Sequence, residues 1–577
     1  MSTAFVKEFY KKAIIDRASK EELKSLLEQN KDKITELKYK KMQVLIKNYN
    51  KAMKVIDRFL NENYKLSNVR YYFTPDVFGY VYVLIETILK ENKDKLVFKG
   101  KKKVTNIKKN RDSNLIETKD IEHSKVRVLS KDSILLITSA QNNTPVHKKL
   151  FNNMLAYKKY LEDTMKRNVE IVVIPFRYKN PTSVFLDKEY EKWDTLLYPY
   201  LFMNKQLIND YYILGDIKVQ PTAQDPLSNL TQLGVGNNVI LAHTKQHLKM
   251  IPNSLGPKIA VTTGAITVIN YTDSKIGKQG EFNHVFGFIY LDTKKKVLRA
   301  INAEKNGNFQ DVNVYLNNGE IKHNKIIAIV FGDIHYGKEN KTIYYNSIEF
   351  ANKHKIQNIV LHDIFDGESI SHHHDNLLLK RYFKIKDNFT VKDELDMVVK
   401  KLIELYDMLK YDKKIYVVRS NHDEHLDKWI NKGFTNVDLN NLEHFADIIA
   451  QMIKNKKIDG ALELYVKNEL VKLKRKDVLR DLVFINRRQP VKIKGWLISE
   501  HGDQGINGVK GSAAQYKKLS DKIIVGHTHV PMRYNNVVYV GCICDKNADY
   551  LKGISTWEYA NVIILENGKV QHIFNNI

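Results

Sequence analysis

Residues 326–335 read IIAIVFGDIH, 359–366 IVLHDIFD, 415–423 IYVVRSNHD, 496–503 WLISEHGD and 523–529 IIVGHTH. Each is a short apolar run, rich in Ile, Val and Leu, that stops at Asp, His or Asn. Runs of this length and composition predict strands covered on both faces. After the second run, Leu395, Val398, Val399, Leu402, Leu405, Tyr406 and Leu409 keep the i, i+3, i+4 spacing of an amphipathic helix. Strands alternating with helices predict largely parallel pairing. In such a sheet the crevice beyond the carboxyl ends of the strands is the usual ligand site, and here those ends carry the polar residues. Side chains scattered over some two hundred positions are thereby predicted to meet in space.

Carboxylate, imidazole and amide donors, with no thiolate among them, suit manganese, iron or zinc. Two divalent ions about 4 Å apart clamp both the attacking and the leaving oxygen of a phosphoryl displacement. One Asp-x-His or Gly-His-x-His carries little information by itself. Five such endings in succession predict a single dinuclear site.

This order (D-x-H, G-D-x-x-D, G-N-H-D/E, a lone His, G-H-x-H) resembles the calcineurin-like metallophosphoesterase superfamily, and within it the DNA-cleaving SbcD-type repair nucleases. The resemblance covers residues 326–577 and implies a catalytic sandwich of two sheets flanked by helices. It implies that Asp333, His335, Asp363 and His529 hold one metal, and that Asp363 bridges to a second completed by Asn421, His501 and His527. It further implies that His422 protonates or polarises the leaving oxygen and that Asp423 orients it. The cofactors so implied are two divalent ions, Mn2+ before Mg2+, Fe2+ or Zn2+. The chain departs from the pattern at His362 and Ser420, where glycine normally precedes the bridging Asp and the ligand Asn. Glycine permits tight turns, so the local backbone is expected to differ; substrate contact and packing are the two readings of His362, and packing is favoured. The run His372-His373-His374 is read as a polar loop near substrate rather than a further metal site.

The chain has 577 residues, enough for about three domains. It carries 93 Lys+Arg against 66 Asp+Glu, a formal charge of +27. Such an excess favours a polyanionic partner, although a surplus that serves solubility gives the same number. Cys542 and Cys544 are the only cysteines, which make neither a disulfide framework nor a zinc site and fit a reducing cytoplasm. The start, up to Arg17, is too rich in Lys, Glu and Asp for a signal peptide, and no uncharged apolar run is long enough to span a membrane. A soluble intracellular protein is expected.

The fold class expected is α/β in three parts. Residues 1–118 form a helical region, with a capping box at Ser19–Glu22 and a basic run that includes Lys101, Lys102 and Lys103. That run is a candidate phosphate track or an ordinary solvated face. Residues 119–325 form an α/β accessory domain with its own sheet. Its loops offer hydroxyls, amides, Arg177 and Lys179, which suit phosphate better than metal; a DNA- or nucleotide-binding crevice and plain surface turns are the two readings. Residues 326–577 form the catalytic domain. Between Asn421 and His501 lies an insertion with Lys472, Lys474, Arg475, Lys476, Arg480, Arg487 and Arg488, read as a clamp on the duplex or as a charged helix surface. Asn567-Gly568 marks a hairpin turn.

A narrower resemblance rests on Thr138-Ser139-Ala140-Gln141, Thr144-Pro145-Val146-His147, the run from Arg177 to Thr182, Pro221-Thr222-Ala223, Thr262-Thr263-Gly264, Ser371-His372-His373, and His501-Gly502 with Asn507-Gly508. Together they resemble the pre-early DNA-transfer and host-genome-degradation proteins of tailed bacteriophages, over residues 120–577. The resemblance implies an early phage enzyme that degrades host DNA with manganese in the cytoplasm of the infected bacterium. The leading reading is thus a two-metal DNA nuclease with DNA as partner. Its rivals are a phosphodiesterase or phosphatase on small nucleotides, and a non-catalytic DNA-binding takeover protein with a vestigial site. Suitable residue types at all seven ligand positions argue against decay, and the basic excess and size favour a polymer. A homo-oligomer is left open.

Overall fold

The computed structural model describes residues 2–61, 73, 75–79, 81–92, 115–117, 127–176, 192–217, 219–370, 389–433, 437–519, 521–546 and 553–574. The basic run with Lys101, Lys102 and Lys103, the cations Arg177 and Lys179, and His372 to His374 lie outside these residues.

The chain divides into two compact units, Met1–Lys109 and Asn110–Ile577. The first is helical among its described residues, with helices that include Ser2–Ile14, Lys20–Glu28, Glu36–Lys47, Tyr49–Asn61 and Tyr82–Glu91. Ser19 and Glu22 form the expected reciprocal capping box. The amphipathic stripes close on one core around Phe9, Tyr10, Leu45, Ile56, Phe59 and Phe78.

The second unit is mixed α/β with several sheets. A six-stranded sheet is ordered Leu482–Ile485, Lys414–Val418, Asn358–His362, Ile326–Val330, Ala560–Leu565, Val570–Phe574. Its first four strands are parallel and its last two antiparallel. Side chains alternate across it with period two. Ile359, Leu361, Ile415, Val417 and Ile563 join a core with the helices Lys341–His354, Val391–Met408 and Ala461–Lys472. Val360, Val418, Val562 and Ile564 face the other way, into a cluster with Trp496, Ile498, Ile524 and Val538. Two sheets therefore share one apolar layer, and strands buried on both faces had to read as continuous runs. Asn567-Gly568 closes the last hairpin, with Gly568 at φ 74°.

The sequence reading gave residues 119–325 a sheet of their own and drew a boundary at 325/326; the structure differs. Ile134–Gln141 and Val169–Phe176 do pair in a four-stranded sheet with Gly287–Asp292 and Val297–Asn302. The strands between residues 205 and 262 instead extend the sheet formed by residues 492–539. Met532–Tyr534 pairs with His247–Ile251, giving ten strands from Lys492–Ile493 to Lys205–Ile208. The expected phosphate-holding hydroxyls are spent internally: Thr138 donates to the Gly287 carbonyl, Ser139 to Gly264 and Thr262 to Lys245. All three lie within strands, so their hydroxyls serve the fold and are not free loop donors. Among the described residues no helix is long and apolar enough to cross a membrane.

Candidate metal centre

The carboxyl ends of Ile326–Val330, Asn358–His362 and Lys414–Val418 lie side by side because the strands run parallel. They deliver Asp333 and His335, Asp363, and Asn421 and His422 to one place. Lys522–Val525, in the facing sheet, ends at His527 and His529, and Trp496–Leu497 beside it leads to His501. Asp363 stands at the middle: its Oδ2 is 3.5 Å from His335 Nε2 and 3.2 Å from His501 Nε2. His529 Nε2 is 3.2 Å from Asp333 Oδ2 and 3.3 Å from His335 Nε2. His527 Nδ1 is 3.0 Å from Asn421 Oδ1, and its ring centroid lies 5.3 Å from that of His501. All seven expected ligand positions thus meet through a continuous chain of contacts.

The backbone bends sharply to present them. His335, Asp363, His527 and His529 have φ of 51°, 48°, 73° and 58°, in the left-handed region that non-glycine residues rarely occupy. Each such residue costs roughly 1–3 kcal/mol and persists where the surroundings impose it, as at functional sites. Gly526 is needed for a different reason: a Cβ there would lie 2.2 Å from Asp333 Oδ1. Gly526→Ala is expected to weaken any divalent-ion binding by the cluster about ten- to a hundredfold with the fold retained; calorimetric titration beside thermal unfolding measures both.

Whether these residues fit a metal can be judged from their unsatisfied atoms. Oδ1 of Asp333 and Oδ1 of Asp363 are buried without a hydrogen-bond partner, while Asp333 Oδ2 and His501 Nε2 meet only other members of the cluster, each at 3.2 Å. Each unsatisfied buried polar atom costs about 1–3 kcal/mol. Four overlapping sets offer donor atoms within 4.8 Å of one another: Asp333, Asp363 and His529; His335, Asp363 and His422; Asp333, His362 and His501; His335, His529 and Cys544. Burial pushes the Asp333 carboxyl up to about 7, with the neighbouring Asp363 charge adding to the rise. Asp363 feels the same burial, yet the charges of His501 and His422 hold it well below the usual carboxylate range. Burial would lower His335 and His501, but their carboxylate neighbours outweigh it and raise each to about 9. This compact, buried His/Asp cluster is able to hold a metal ion.

Three placements correct or extend the sequence reading. Asp423 was expected to orient His422; its carboxylate instead accepts from the backbone N–H of Ser420 at 3.1 Å and of Phe365 at 3.3 Å. Standing first in the helix Asp423–Asn431, it folds back on the turn that presents Asn421. Ser420, in the place of glycine, accepts from the Asp423 N–H at 3.0 Å and fixes that turn. The orienting partner is Asp366. Its backbone carbonyl takes the His422 Nδ1 proton at 2.8 Å, and its carboxylate lies 2.9 Å from His335 Nδ1. Asp366 stood in the G-D-x-x-D pattern without a role of its own. His362 was read as packing; it is buried, but within one of the donor sets, its Nδ1 3.3 Å from His501 Nδ1.

Cys544 and Trp557 carried no signal in the sequence. Bridges of Asp333 to Cys542 and of Cys542 to Tyr559 bring both in. Cys544 Sγ is 3.7 Å from His529 Nδ1, and the Trp557 ring centroid is 4.0 Å from that of His529.

The clamp reading fails for Lys474, Arg475 and Lys476. Leu482–Ile485 runs parallel to Lys414–Val418, so the helix Lys476–Asp481 that precedes it lies at the amino end of the sheet, opposite the metal centre. Arg475 is moreover held by Asp407 at 2.6 Å and Asp477 at 2.9 Å. Arg487 follows the strand and reaches the correct end, but it binds Asp503 through both terminal nitrogens and Glu424 through Nε.

Over 472 residues, 75% of this chain and 80% of the other, the sequence is 25% identical to Protein A1 of Escherichia phage T5. No protein-family model and no solved structure matches the chain. Along most of its length the chain is thus similar to a phage protein.

Proposed function

We propose that this protein is a two-metal phosphodiesterase that hydrolyses DNA, working on a metallophosphoesterase-type sandwich in the cytoplasm of a phage-infected bacterium. The observation that carries the reading is the position of Asp363, within 3.5 Å of both the His335 and the His501 side of the cluster. In this reading Asp333, His335 and His529 would hold one ion and Asn421, His501 and His527 the other, with Asp363 available to both groups. Bound divalent ions supply Lewis acidity, which neutralises phosphate charge and makes water nucleophilic near neutral pH. Manganese suits the mixed carboxylate and imidazole set, with Mg2+, Fe2+ and Zn2+ as alternatives. The similarity to a phage protein supports the phage role, and the charge of +27 supports a polyanionic substrate.

The protein's own groups position and move protons. Asp366 holds His335 by its carboxylate and His422 by its carbonyl. Because a carbonyl only accepts, His422 Nδ1 carries the hydrogen, and Nε2 is the nitrogen left to exchange a proton with the leaving oxygen. His422 is partly exposed while the cluster beneath it is buried, as suits a group at the mouth of the site. His422→Ala is expected to cut DNA turnover about a hundredfold while Mn2+ binding persists. Linear and circular duplex DNA, incubated with Mn2+, Mg2+ or chelator, is the assay. Turnover of a small diester without any cleavage of DNA would transfer the reading to a small-nucleotide phosphodiesterase.

A further inference from the structure

A cavity of about 350 Å³ adjoins the cluster and plays no part in the chemistry above. One wall is Asp210, Tyr211, Asn238 and Lys258, at the starts of three strands of the ten-stranded sheet. The other is Lys546, Glu558 and Tyr559, and Lys296 closes a side from its hairpin.

Strand direction fixes where this cavity lies. Lys522–Val525 is parallel to Val537–Tyr539; Met532–Tyr534 reverses, His247–Ile251 reverses again and Lys258–Thr262 once more. Asn238–Leu241 and Tyr211–Leu214 follow Lys258–Thr262. The starts of these three strands therefore share a sheet end with His527 and His529. Four strand spacings of about 4.8 Å place Lys258 roughly 19 Å along that end. The opposite wall is closer: the Glu558 N–H donates to the His529 carbonyl at 3.2 Å, and Lys546 is two residues beyond Cys544.

The lining is chemically mixed. Lys258 is 3.9 Å from Asp210 and Lys546 is 2.7 Å from Glu558, so three ammonium groups face two carboxylates. The Asp210 side chain is about a third exposed and its contact with Lys258 is long at 3.9 Å, so it presents an acceptor to the cavity. Lys546 stands 4.2 Å over the Tyr559 ring. A metal ion has no use for ammonium groups, and inorganic phosphate has none for an unsatisfied acceptor. A nucleotide offers both parts: phosphate for the lysines, and a base amino group for Asp210. The volume also suits one such unit, at the lower end of the roughly 300–1,000 Å³ of ligand pockets.

We propose that this cavity binds a nucleotide of the substrate strand a few positions from the scissile phosphate, and so makes the enzyme prefer a polymer to a short diester; the inference rests on the nuclease reading. Cleavage of a dinucleotide and of an oligonucleotide of about twelve nucleotides, with Mn2+, tests it in the full chain. The wild type is expected to favour the longer substrate. Lys258→Gln/Lys296→Gln is expected to lose about tenfold of that preference, mainly in KM, and Lys258→Arg to keep it. An unchanged preference in the double variant overturns the cavity and leaves the nuclease reading standing. If the wild type cuts neither substrate, the nuclease reading falls instead. Fluorescence anisotropy of the labelled oligonucleotide in EDTA then decides the cavity alone: weaker binding with a shallower salt dependence in the variant supports it, and equal binding with an equal slope overturns it.

Discussion

Asp363→Asn is expected to abolish high-affinity Mn2+ binding and to lower turnover of DNA and of small diesters together, roughly thousandfold or about 4 kcal/mol. Asn is the informative replacement because it tolerates the left-handed backbone that Asp363 occupies at φ 48°, so the loss reports the missing charge rather than a distorted turn. Both sides of the cluster depend on this one carboxylate, at 3.5 Å from His335 and 3.2 Å from His501. Calorimetric titration with Mn2+ reads the binding. Thermal unfolding gives a second readout that needs no substrate. An ion at a hundred times its Kd stabilises the folded chain by about 2.7 kcal/mol, which for a unit of this size shifts Tm by roughly 3 °C. The wild type should show that shift and the variant should not. Without metal the variant should be less stable than the wild type at pH 7, because the charges of His501 and His422 hold the Asp363 carboxyl well below its ordinary range and lose that buried partner in Asn. Wild-type Mn2+ affinity in Asp363→Asn would end the two-metal reading.

The positions of the cluster residues were legible because the signals for them are local. An apolar run of strand length that ends in Asp-Ile-His or Gly-His-Thr-His states both an element and the end of it that carries chemistry. Parallel pairing then does the gathering, and that too follows from the helix after Asn358–His362. What failed was everything set by direction or by distant pairing. Asp423 and Asp366 are equivalent as letters, and only the turn at Ser420 sends the first to the backbone and leaves His422 to the second. Lys474, Arg475 and Lys476 lie between two site motifs in sequence, yet a strand must be entered at its amino end before it can reach the site at the other.

Pairing across the chain hid the rest. Nothing near Cys544 announces a neighbour of His529; the bridge from Asp333 to Cys542 brings it there. The continuity of the ten-stranded sheet depends on Arg533 and Tyr534 meeting Leu248 and His247, nearly three hundred residues apart. Hydrophobic periodicity reports which strands exist and says nothing of such partners. The cavity exists only because of that pairing, so no reading of single motifs could have placed Lys258 at the same sheet end as His529.

Asp311→Ala is expected to destabilise the second unit by about 3–5 kcal/mol, the cost of breaking one partner out of a buried ion pair. Arg299 donates to Asp311 through Nε and Nη2, both at 2.7 Å, and lies 4.0 Å from the Tyr290 ring centroid. The Tyr157 hydroxyl donates to the same carboxylate, and Gln571 Nε2 reaches it at 3.1 Å. The pair thus ties Gly287–Asp292 and Val297–Asn302 to Val570–Phe574, the edge of the sheet that carries Asp333. Burial alone would raise the Asp311 carboxyl, but the Arg299 charge and hydrogen bonds outweigh it and hold the group below its ordinary value. A carboxyl depressed in the folded state contributes stability that is complete above its unfolded pKa of about 3.9 and is lost as pH falls through the folded value. The gap between variant and wild type in urea unfolding should therefore be full at pH 7 and narrow only below about pH 4. Arg299→Met added to Asp311→Ala should recover part of the loss, because the larger share of the penalty is a cation left buried without its partner. A gap that stays constant down to pH 3, or a double variant no more stable than Asp311→Ala, would show that the site is packing with a charge in it rather than an ion pair that joins the accessory strands to the sheet that carries Asp333.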